Sequence, residues 1–178
     1  VGEYVNIFEK NISKFTKSKY AVACSSGTTA LHLALRSINV EKGDEVIVPS
    51  MSFIATVNPV QYLNASPVFM DCDNFYNLDI DKFKKFIEKN TFFKNGFTIN
   101  KKTRRKIKAV IPVHVSGNAV DLESIVNFCK KKNIKIVEDA AEALGTFYLK
   151  GKLKNKHAGT IGDIGCLSFN GNKIITSG

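Results

Sequence analysis

The sequence predicts an α/β fold in which a mainly parallel sheet is flanked by helices. The first observation is that short runs of β-branched and apolar residues alternate with amphipathic stretches at helical spacing. Strands separated by helices of this length are typical of βαβ units, whose right-handed crossovers cover both faces of the sheet. The second observation is that polar motifs follow several predicted strands. Ligands of such sheets bind outside the carboxyl ends of the strands, so these motifs could meet in one crevice.

The first half of the chain contains three pairs of a strand and a helix. Apolar β-branched runs mark the strands, and the helices carry apolar residues three and four positions apart, as at Leu31, Ala34 and Leu35. Pro59 should kink its helix or end it early, because proline lacks the N–H that a helix needs. The predicted elements are a strand over residues 20–24, a helix over 28–38, a strand over 45–48, a helix over 52–63, a strand over 67–70 and a helix over 79–89.

The second half repeats the pattern. Pro112 should end the strand before it, because proline cannot donate to a sheet ladder. Asp121 should cap the helix that follows, since its carboxylate can accept a hydrogen bond from a free N–H of the first turn. The glycine-rich residues 159–165 are interpreted as a tight turn before the last strand. The predicted elements are a strand over residues 107–111, a helix after residue 121, a strand over 135–138 and a strand over 166–169.

The segment between the two halves is strongly basic. Residues 94–108 contain seven Lys or Arg and no acid, in a chain with 26 Lys and Arg, 16 Asp and Glu, and a formal net charge of +10. The favoured interpretation is a solvated surface loop, and the alternative is a loop near an anionic ligand such as a nucleotide diphosphate. Because no nucleic-acid-binding motif accompanies the charge, we expect no nucleic-acid partner.

Composition limits the class of protein. The chain has 178 residues, of which 44% are hydrophobic and 24% are charged, and this permits one domain with a sizeable core. No apolar stretch is long enough to span a bilayer and no signal-peptide pattern is present, so we expect a cytoplasmic protein without a membrane partner. The four cysteines are scattered without a C-x-x-C pair, which favours buried reduced thiols.

Ser26, Gly27 and Thr28 lie between the first predicted strand and its helix. The N-terminus of a helix offers unpaired N–H groups and the positive end of the helix dipole, both of which favour a phosphate. Gly27 would allow the backbone to approach such a group closely. Taken alone, however, this pattern is more often an ordinary helix cap.

Asp139 and Lys173 complete a set of residues that suits one cofactor. Asp139 ends a predicted strand beside Ala140 and Ala141, and its carboxylate could hold a protonated pyridine nitrogen. A lysine in a partly desolvated site, as expected for Lys173, can lose its proton and react with a carbonyl group. Ser168, shortly before it, could bind a phosphate. These groups predict a site for pyridoxal 5′-phosphate (PLP), although each alone is more often a capping aspartate or a surface lysine.

Other kinds of site have less support in the sequence. Phe53 begins a loop and helix, where its ring could stack on a planar cofactor or simply pack in the core. A metal site is not expected, because His32, His114 and His157 are isolated and show no H-x-x-x-H spacing. The sequence also lacks the G-x-S-x-G motif of many hydrolases and the glycine-rich motifs that bind nucleotides.

Six stretches of the chain, taken together, resemble the sugar aminotransferases of the DegT/DnrJ/EryC1/StrS group, which are fold-type I PLP enzymes. Their order and spacing cover nearly the whole chain, which makes the resemblance specific. It implies that residues 1–178 form a PLP-binding large domain similar to that of aspartate aminotransferase. It also implies that this domain is incomplete, that a C-terminal small domain is absent, and that the chain is a fragment. The matching stretches are residues 26–35, 48–56, 67–71, 111–117, 137–145 and 162–173.

The resemblance assigns the central chemistry to two residues. It implies that Lys173 binds PLP covalently and moves the proton during amino transfer. It implies that Asp139 pairs with the pyridine nitrogen of the cofactor. One branch of the family carries histidine in place of this lysine and catalyses dehydration, so the lysine found here implies transamination.

The resemblance also implies binding roles for five further residues. The backbone of Gly27 and Thr28, together with the hydroxyl group of Ser168, would hold the phosphate. Phe53 would stack on the cofactor ring. Glu142 would lie near the 3′ oxygen of PLP, at a position where the family often has Gln or His, so its hydrogen bonds are a departure from the usual pattern.

The implied function is PLP-dependent transamination of a nucleotide-linked keto sugar, with glutamate as the amino donor. Such reactions supply amino sugars for bacterial surface glycans, including legionaminic acid and related sugars. The resemblance further implies a homodimer in which a partner chain completes each phosphate site. The alternative is a non-catalytic fragment that keeps the fold or an oligomer interface without turnover.

Overall fold

A five-stranded parallel sheet forms the centre of the protein, which a computed structural model describes over residues 2–177. The strands of the chain are β1 Glu45–Pro49, β2 Ser66–Met70, β3 Thr91–Lys94, β4 Phe97–Asn100, β5 Ile107–Val110, β6 Lys135–Asp139 and β7 Ile164–Cys166. The central sheet has the order β2-β1-β5-β6-β7, and all of its neighbours run parallel. The predicted α/β fold with a mainly parallel sheet is therefore confirmed.

Helices cover both faces of this sheet. On one face, Leu35 and Val60 belong to the same buried cluster as Val137 of β6. On the other face, Phe83 and Ile125 are buried with Ile136 of the same strand. Successive side chains of a strand point to opposite faces, so the two clusters share the sheet between them. The helices are α1 Glu3–Thr16, α2 Gly27–Ser37, α3 Ile54–Tyr62, α4 Ile80–Asn90 and α5 Val126–Lys131, with a short 3-10 turn at Val115–Gly117.

The basic segment is a loop only over residues 101–106, between β4 and β5, because its earlier residues belong to a β-hairpin. Strands β3 and β4 pair antiparallel around Asn95 and Gly96, both of which have positive φ angles. The hairpin lies at the amino ends of the central strands, because Asn100 donates a hydrogen bond of 2.9 Å to Glu45 and Thr98 donates one of 2.6 Å to the carbonyl of Lys132. Its cations are therefore at the opposite edge of the sheet from the predicted cofactor residues.

The strand predicted over residues 20–24 is wrong. The backbone N–H of Ala23 donates to Glu9 of α1 at 2.8 Å, and Val22 is 73% exposed. Among the described residues no strand pairs with this segment, so its apolar pattern is not accompanied by a sheet ladder. The segment instead contacts helix α1, which the sequence analysis did not predict, through the hydrogen bond to Glu9.

Three boundaries also differ from the predictions. Helix α3 continues past Pro59 to Tyr62, so the proline does not end it early. Asp121 caps a turn by accepting from the N–H of Ser124 at 3.3 Å, and α5 begins only at Val126. The last strand, β7, begins before the predicted start and ends at Cys166.

The cysteines follow the prediction only in part. All four are free thiols, but Cys24 is exposed and Cys72 is half-buried. Cys129 and Cys166 are buried, and burial raises the pKa of the Cys129 thiol to about 12. Within residues 2–177, no helix is long and apolar enough to cross a membrane.

Candidate active site

The predicted site residues converge at the carboxyl edge of the central sheet. Asp139 is the last residue of β6, and Ser168 follows β7 by two positions. Gly27 begins α2, and Phe53 is the N-cap of α3, which follows β1. In a parallel sheet the strands all end at the same edge, which brings Asp139, Ser168 and Phe53 together, and Gly27 joins them through its close contact with Ser168.

Asp139 is a buried carboxylate held by two hydrogen bonds. Its side chain accepts a bond of 2.7 Å from the hydroxyl group of Thr56 and one of 3.2 Å from the N–H of Ala141. Burial raises the pKa of Asp139, while the bonds from Thr56 and Ala141 and the nearby His114 and Lys173 oppose that rise. A buried carboxylate near a cation is suited to hold a protonated nitrogen.

Lys173 and Glu142 form an ion pair beside this carboxylate. The Nζ atom of Lys173 lies 3.2 Å from Oε1 of Glu142, and the lysine side chain is only 15% exposed. The other oxygen of Glu142 accepts a 2.9 Å hydrogen bond from the backbone N–H of Ser116. That bond is the main reason why the pKa of Glu142 is lowered, and Lys173 adds to the effect. Glu142 therefore orients the amino group of Lys173, and the hydrogen bond from Ser116 holds Glu142 in place.

Gly27 and Ser168 form a close contact at the start of α2. A Cβ atom at Gly27 would lie 3.2 Å from Cβ and 3.4 Å from Oγ of Ser168, which is tighter than ordinary van der Waals contact. The cap of the helix is Ser26, whose hydroxyl group accepts from the N–H of Thr29 at 3.1 Å. The earlier N–H groups, those of Gly27 and Thr28, have no partner within the helix. Together with the Ser168 hydroxyl, they could form a cradle for an anion.

The segment that carries Lys173 packs against α1. The ring of Phe169 meets the ring of Phe8 edge to face at 4.9 Å between centroids. The backbone N–H of Lys173 donates to the carbonyl of Asn170 at 2.9 Å, which closes a turn between Ser168 and the lysine. Helix α1 thus helps to position the lysine.

The ring of Phe53 projects from the site rather than into the core. It is 76% exposed, so the interpretation of Phe53 as a core residue is wrong. Thr56, which binds Asp139, lies one helical turn further along α3. This spacing leaves the ring free to cover a planar group held at Asp139.

The structure adds residues that the sequence analysis did not assign to the site. Thr56 binds Asp139, and Ser116 binds Glu142 through its backbone. His114 and Glu138 are completely buried and form a 2.9 Å contact just below the site. Thr56 could have been found from its position one turn after Phe53, but a backbone donor such as Ser116 leaves no signal in the sequence.

These groups fit the cofactor that the sequence predicts. A helix start that lies close to the Ser168 hydroxyl, a buried carboxylate and a shielded lysine are suited to the phosphate, the ring nitrogen and the carbonyl carbon of PLP. The described residues contain no cluster of three or more His, Cys, Asp or Glu that could hold a metal ion.

Comparison with known proteins gives the family. The DegT/DnrJ/EryC1/StrS aminotransferase family matches residues 1–178. The chain belongs to this family. PLP, the predicted cofactor, is confirmed as the cofactor of this family of aminotransferases.

Individual relatives agree with this assignment. GDP-perosamine synthase of Escherichia coli O157:H7 is 40% identical over 99% of this chain and 43% of its own length. The putative pyridoxal phosphate-dependent aminotransferase EpsN of Bacillus subtilis is 39% identical over 99% of this chain and 42% of its own. A DegT DnrJ EryC1 StrS aminotransferase from Brucella abortus superposes with a TM-score of 0.84 at 32% identity, over 97% of this chain and 43% of that one. The chain thus spans about two fifths of the length of these relatives.

Proposed function

We propose that the protein is a PLP-dependent aminotransferase that moves an amino group from glutamate to a nucleotide-linked keto sugar. The observation that carries this proposal is the convergence of Lys173, Asp139 and the cradle of Gly27 and Ser168 at one edge of the sheet. The relative named for GDP-perosamine synthesis supports a nucleotide sugar as the acceptor. Synthesis of amino sugars for bacterial surface glycans is the corresponding biological role.

The cofactor would be held at three points. The N–H groups of Gly27 and Thr28 and the hydroxyl of Ser168 would bind the phosphate, because a helix N-terminus favours an anion. Asp139 would accept a hydrogen bond from the protonated ring nitrogen, and Phe53 would cover the ring. When bound, PLP supplies an electron sink that stabilises negative charge on a neighbouring carbon.

Lys173 would handle the proton that moves during amino transfer. Its side chain is mostly shielded from water, and the anchored Glu142 holds its Nζ atom in one direction. Because the pKa of Glu142 is lowered, this carboxylate remains charged at neutral pH and acts as an orienting group rather than as the proton acceptor. Glu142 would also lie beside the 3′ oxygen of PLP, where a neutral residue is more usual in the family.

The assembly and location are part of the same proposal. Residues 1–178 would form most of a PLP-binding large domain, and the protein would act as a cytoplasmic homodimer. Large apolar side chains at the two ends of α3 are exposed in the single chain, with Phe53 at 76% and Ile54 at 59% at its start and Tyr62 at 57% at its end. Exposed apolar surface of this kind supports contact with a further protein surface.

The test is a half-reaction with glutamate alone. The protein, expressed as its gene encodes it, loaded with PLP and separated from free PLP, should release 2-oxoglutarate in an amount equal to the number of active sites and then stop, because no acceptor sugar is present. A Lys173→Ala variant should release none. Absence of 2-oxoglutarate from the PLP-bound wild type with glutamate, and of the corresponding 2-oxo acid with every other amino acid tested as donor, would contradict the proposal and favour a non-catalytic role.

A further inference from the structure

Glu138 is a fully buried carboxylate that the proposed chemistry does not use. It precedes Asp139 on β6, so its side chain points to the opposite face of the sheet. Asp139 faces α3, where it meets Thr56, whereas Glu138 faces residues 159–162 and the ring of His114. Burial of a carboxylate is costly unless hydrogen bonds replace the lost water.

Four donors surround this carboxylate, two at each oxygen. The N–H groups of Ile161 and Gly162 donate to Oε1, each at 2.6 Å. The N–H of Gly159 donates to Oε2 at 2.7 Å, and Nε2 of His114 lies 2.9 Å from the same atom. The other ring nitrogen of His114 accepts from the N–H of Val120 at 3.1 Å, so the proton of a neutral ring is on Nε2 and points at Glu138.

The backbone approaches its neighbours too closely for side chains at two glycines, Gly162 of this loop and Gly165 of β7. A Cβ at Gly165 would lie 1.8 Å from the carbonyl oxygen of Gly159, and one at Gly162 would lie 2.6 Å from that of Ile136. Gly159 has a φ of +91°, a conformation that favours glycine. Ile161 packs against the core on one face of the sheet, and the three backbone hydrogen bonds to Glu138 fix the loop at Gly159, Ile161 and Gly162.

The loop leads directly into the phosphate side of the site. Strand β7 follows it and pairs with β6, and Ser168 comes two residues after the end of β7. The backbone of His114 also donates to the carbonyl of Asp139 at 3.0 Å, shortly before Ser116, which anchors Glu142. Glu138 therefore joins the chain segments that carry both ends of the site.

We propose that Glu138 is a positioning residue that fixes the separation between the phosphate cradle at Gly27 and Ser168 and the ring-nitrogen carboxylate of Asp139. This inference rests on the proposed function, because it assigns those two groups to the two ends of PLP. Glu138 itself touches no ligand. Its role is to keep the phosphate cradle and Asp139 at the distance at which a single PLP molecule can contact both.

The test compares the affinities of PLP and pyridoxal, which differ only in the phosphate. For the whole protein, we take the dissociation constant of pyridoxal divided by that of PLP. This ratio measures how much the phosphate group adds to the affinity when the ring end is bound. Glu138→Gln places an amide NH₂ against two of the four donors. We expect it to reduce this ratio by about tenfold or more, the effect of losing one hydrogen bond to a charged group.

A matched control separates positioning from general loosening. Glu123 also accepts a loop N–H, that of Lys152 at 2.9 Å, but it is exposed and its partner belongs to none of the segments that carry the site residues. Glu123→Gln should leave the ratio unchanged. A folded Glu138→Gln protein with the wild-type ratio would overturn the inference while leaving the proposed function intact. A wild type that binds neither compound would refute the proposed function, and the inference with it.

A measurement on the wild type covers the case in which Glu138→Gln does not fold. The amide protons of Gly159, Ile161 and Gly162 should exchange slowly with solvent and as a group. Binding of PLP, but not of pyridoxal, should slow their exchange further, because only PLP engages the segment at Ser168. Rapid exchange, or equal effects of the two compounds, would overturn the inference.

Discussion

Replacing Thr56 by valine should weaken PLP binding while leaving the fold intact. The hydroxyl of Thr56 gives Asp139 its shorter hydrogen bond, 2.7 Å against 3.2 Å from Ala141. Both side chains are buried, with exposed fractions of 0% for Thr56 and 5% for Asp139, so water cannot readily replace the lost donor. Valine has nearly the shape of threonine, and the change therefore removes the donor without leaving a large cavity.

The expected loss follows from the charge of the acceptor. A hydrogen bond to a charged group contributes about 1.5–3 kcal/mol, which corresponds to about a tenfold to 150-fold weaker affinity for PLP. The bond from Thr56 also opposes the rise that burial causes in the pKa of Asp139. Without it that pKa rises further, so the carboxylate takes up a proton at higher pH and PLP binding should fail at a higher pH than in the wild type.

The assay is a titration with PLP, followed by its visible absorbance, from mildly acidic to mildly basic pH. Thr98→Val is the matched control, because Thr98 is 1% exposed and donates a 2.6 Å bond to a carbonyl at the opposite edge of the sheet. It should lower the free energy of unfolding by about 0.5–1.5 kcal/mol without changing PLP binding. Equal PLP affinities and equal pH profiles for Thr56→Val and the wild type would refute the assignment of Asp139.

Three further predictions concern the cradle, the ring nitrogen and stability against acid. Gly27→Ala should leave thermal stability unchanged or slightly higher, because alanine favours helices, yet weaken PLP more than pyridoxal in parallel titrations, since its Cβ would press on Ser168. Asp139→Asn should still bind PLP but release 2-oxoglutarate far more slowly, and near-normal rates would reject the role of the carboxylate. Burial lowers the pKa of His157, which accepts the N–H of Gly145 at 2.8 Å, so the folded chain binds fewer protons there than the unfolded chain. The free energy of unfolding should therefore fall as the pH drops below about 6.5, and urea titrations should show a smaller fall for His157→Gln.

The fold was predictable where burial alone decides the structure. The strands β1, β5 and β6 each contain buried Val, Ile or Ala residues on both faces of the sheet, a pattern typical of central parallel strands. Residues 20–24 have a similar pattern, but strand formation also needs a partner, and their N–H at Ala23 binds Glu9 instead. The pattern of one segment does not contain that information.

The hairpin shows how charge can obscure a local signal. Asn95 and Gly96 form a typical two-residue turn, and Phe93 and Thr98 pair on either side of it. The surrounding lysines and arginines favoured a loop, yet Lys106 places its Nζ 4.3 Å from the ring centre of Phe97 and thereby covers the apolar strands. The basic residues pack on the hairpin rather than preventing it.

The site was predictable as a set of residue types but not as a set of contacts. Asp139 and Lys173 carry chemistry that their neighbours in the sequence indicate. Their partners Thr56 and Glu142 are far from them in the chain, 83 and 31 positions respectively, and only the sheet brings them together. Helix α1 was also missed because its packing depends on a contact distant in the sequence, that between Phe8 and Phe169.

The most direct test of the central claim is to identify which lysine binds the cofactor. The protein, expressed as its gene encodes it, is mixed with PLP, reduced with borohydride, digested and mapped by mass spectrometry. We predict that the cofactor is attached to Lys173 and that Lys173→Ala prevents both the attachment and the visible absorbance change. Attachment to another of the many lysines, or no difference between the wild type and the variant, would contradict the account.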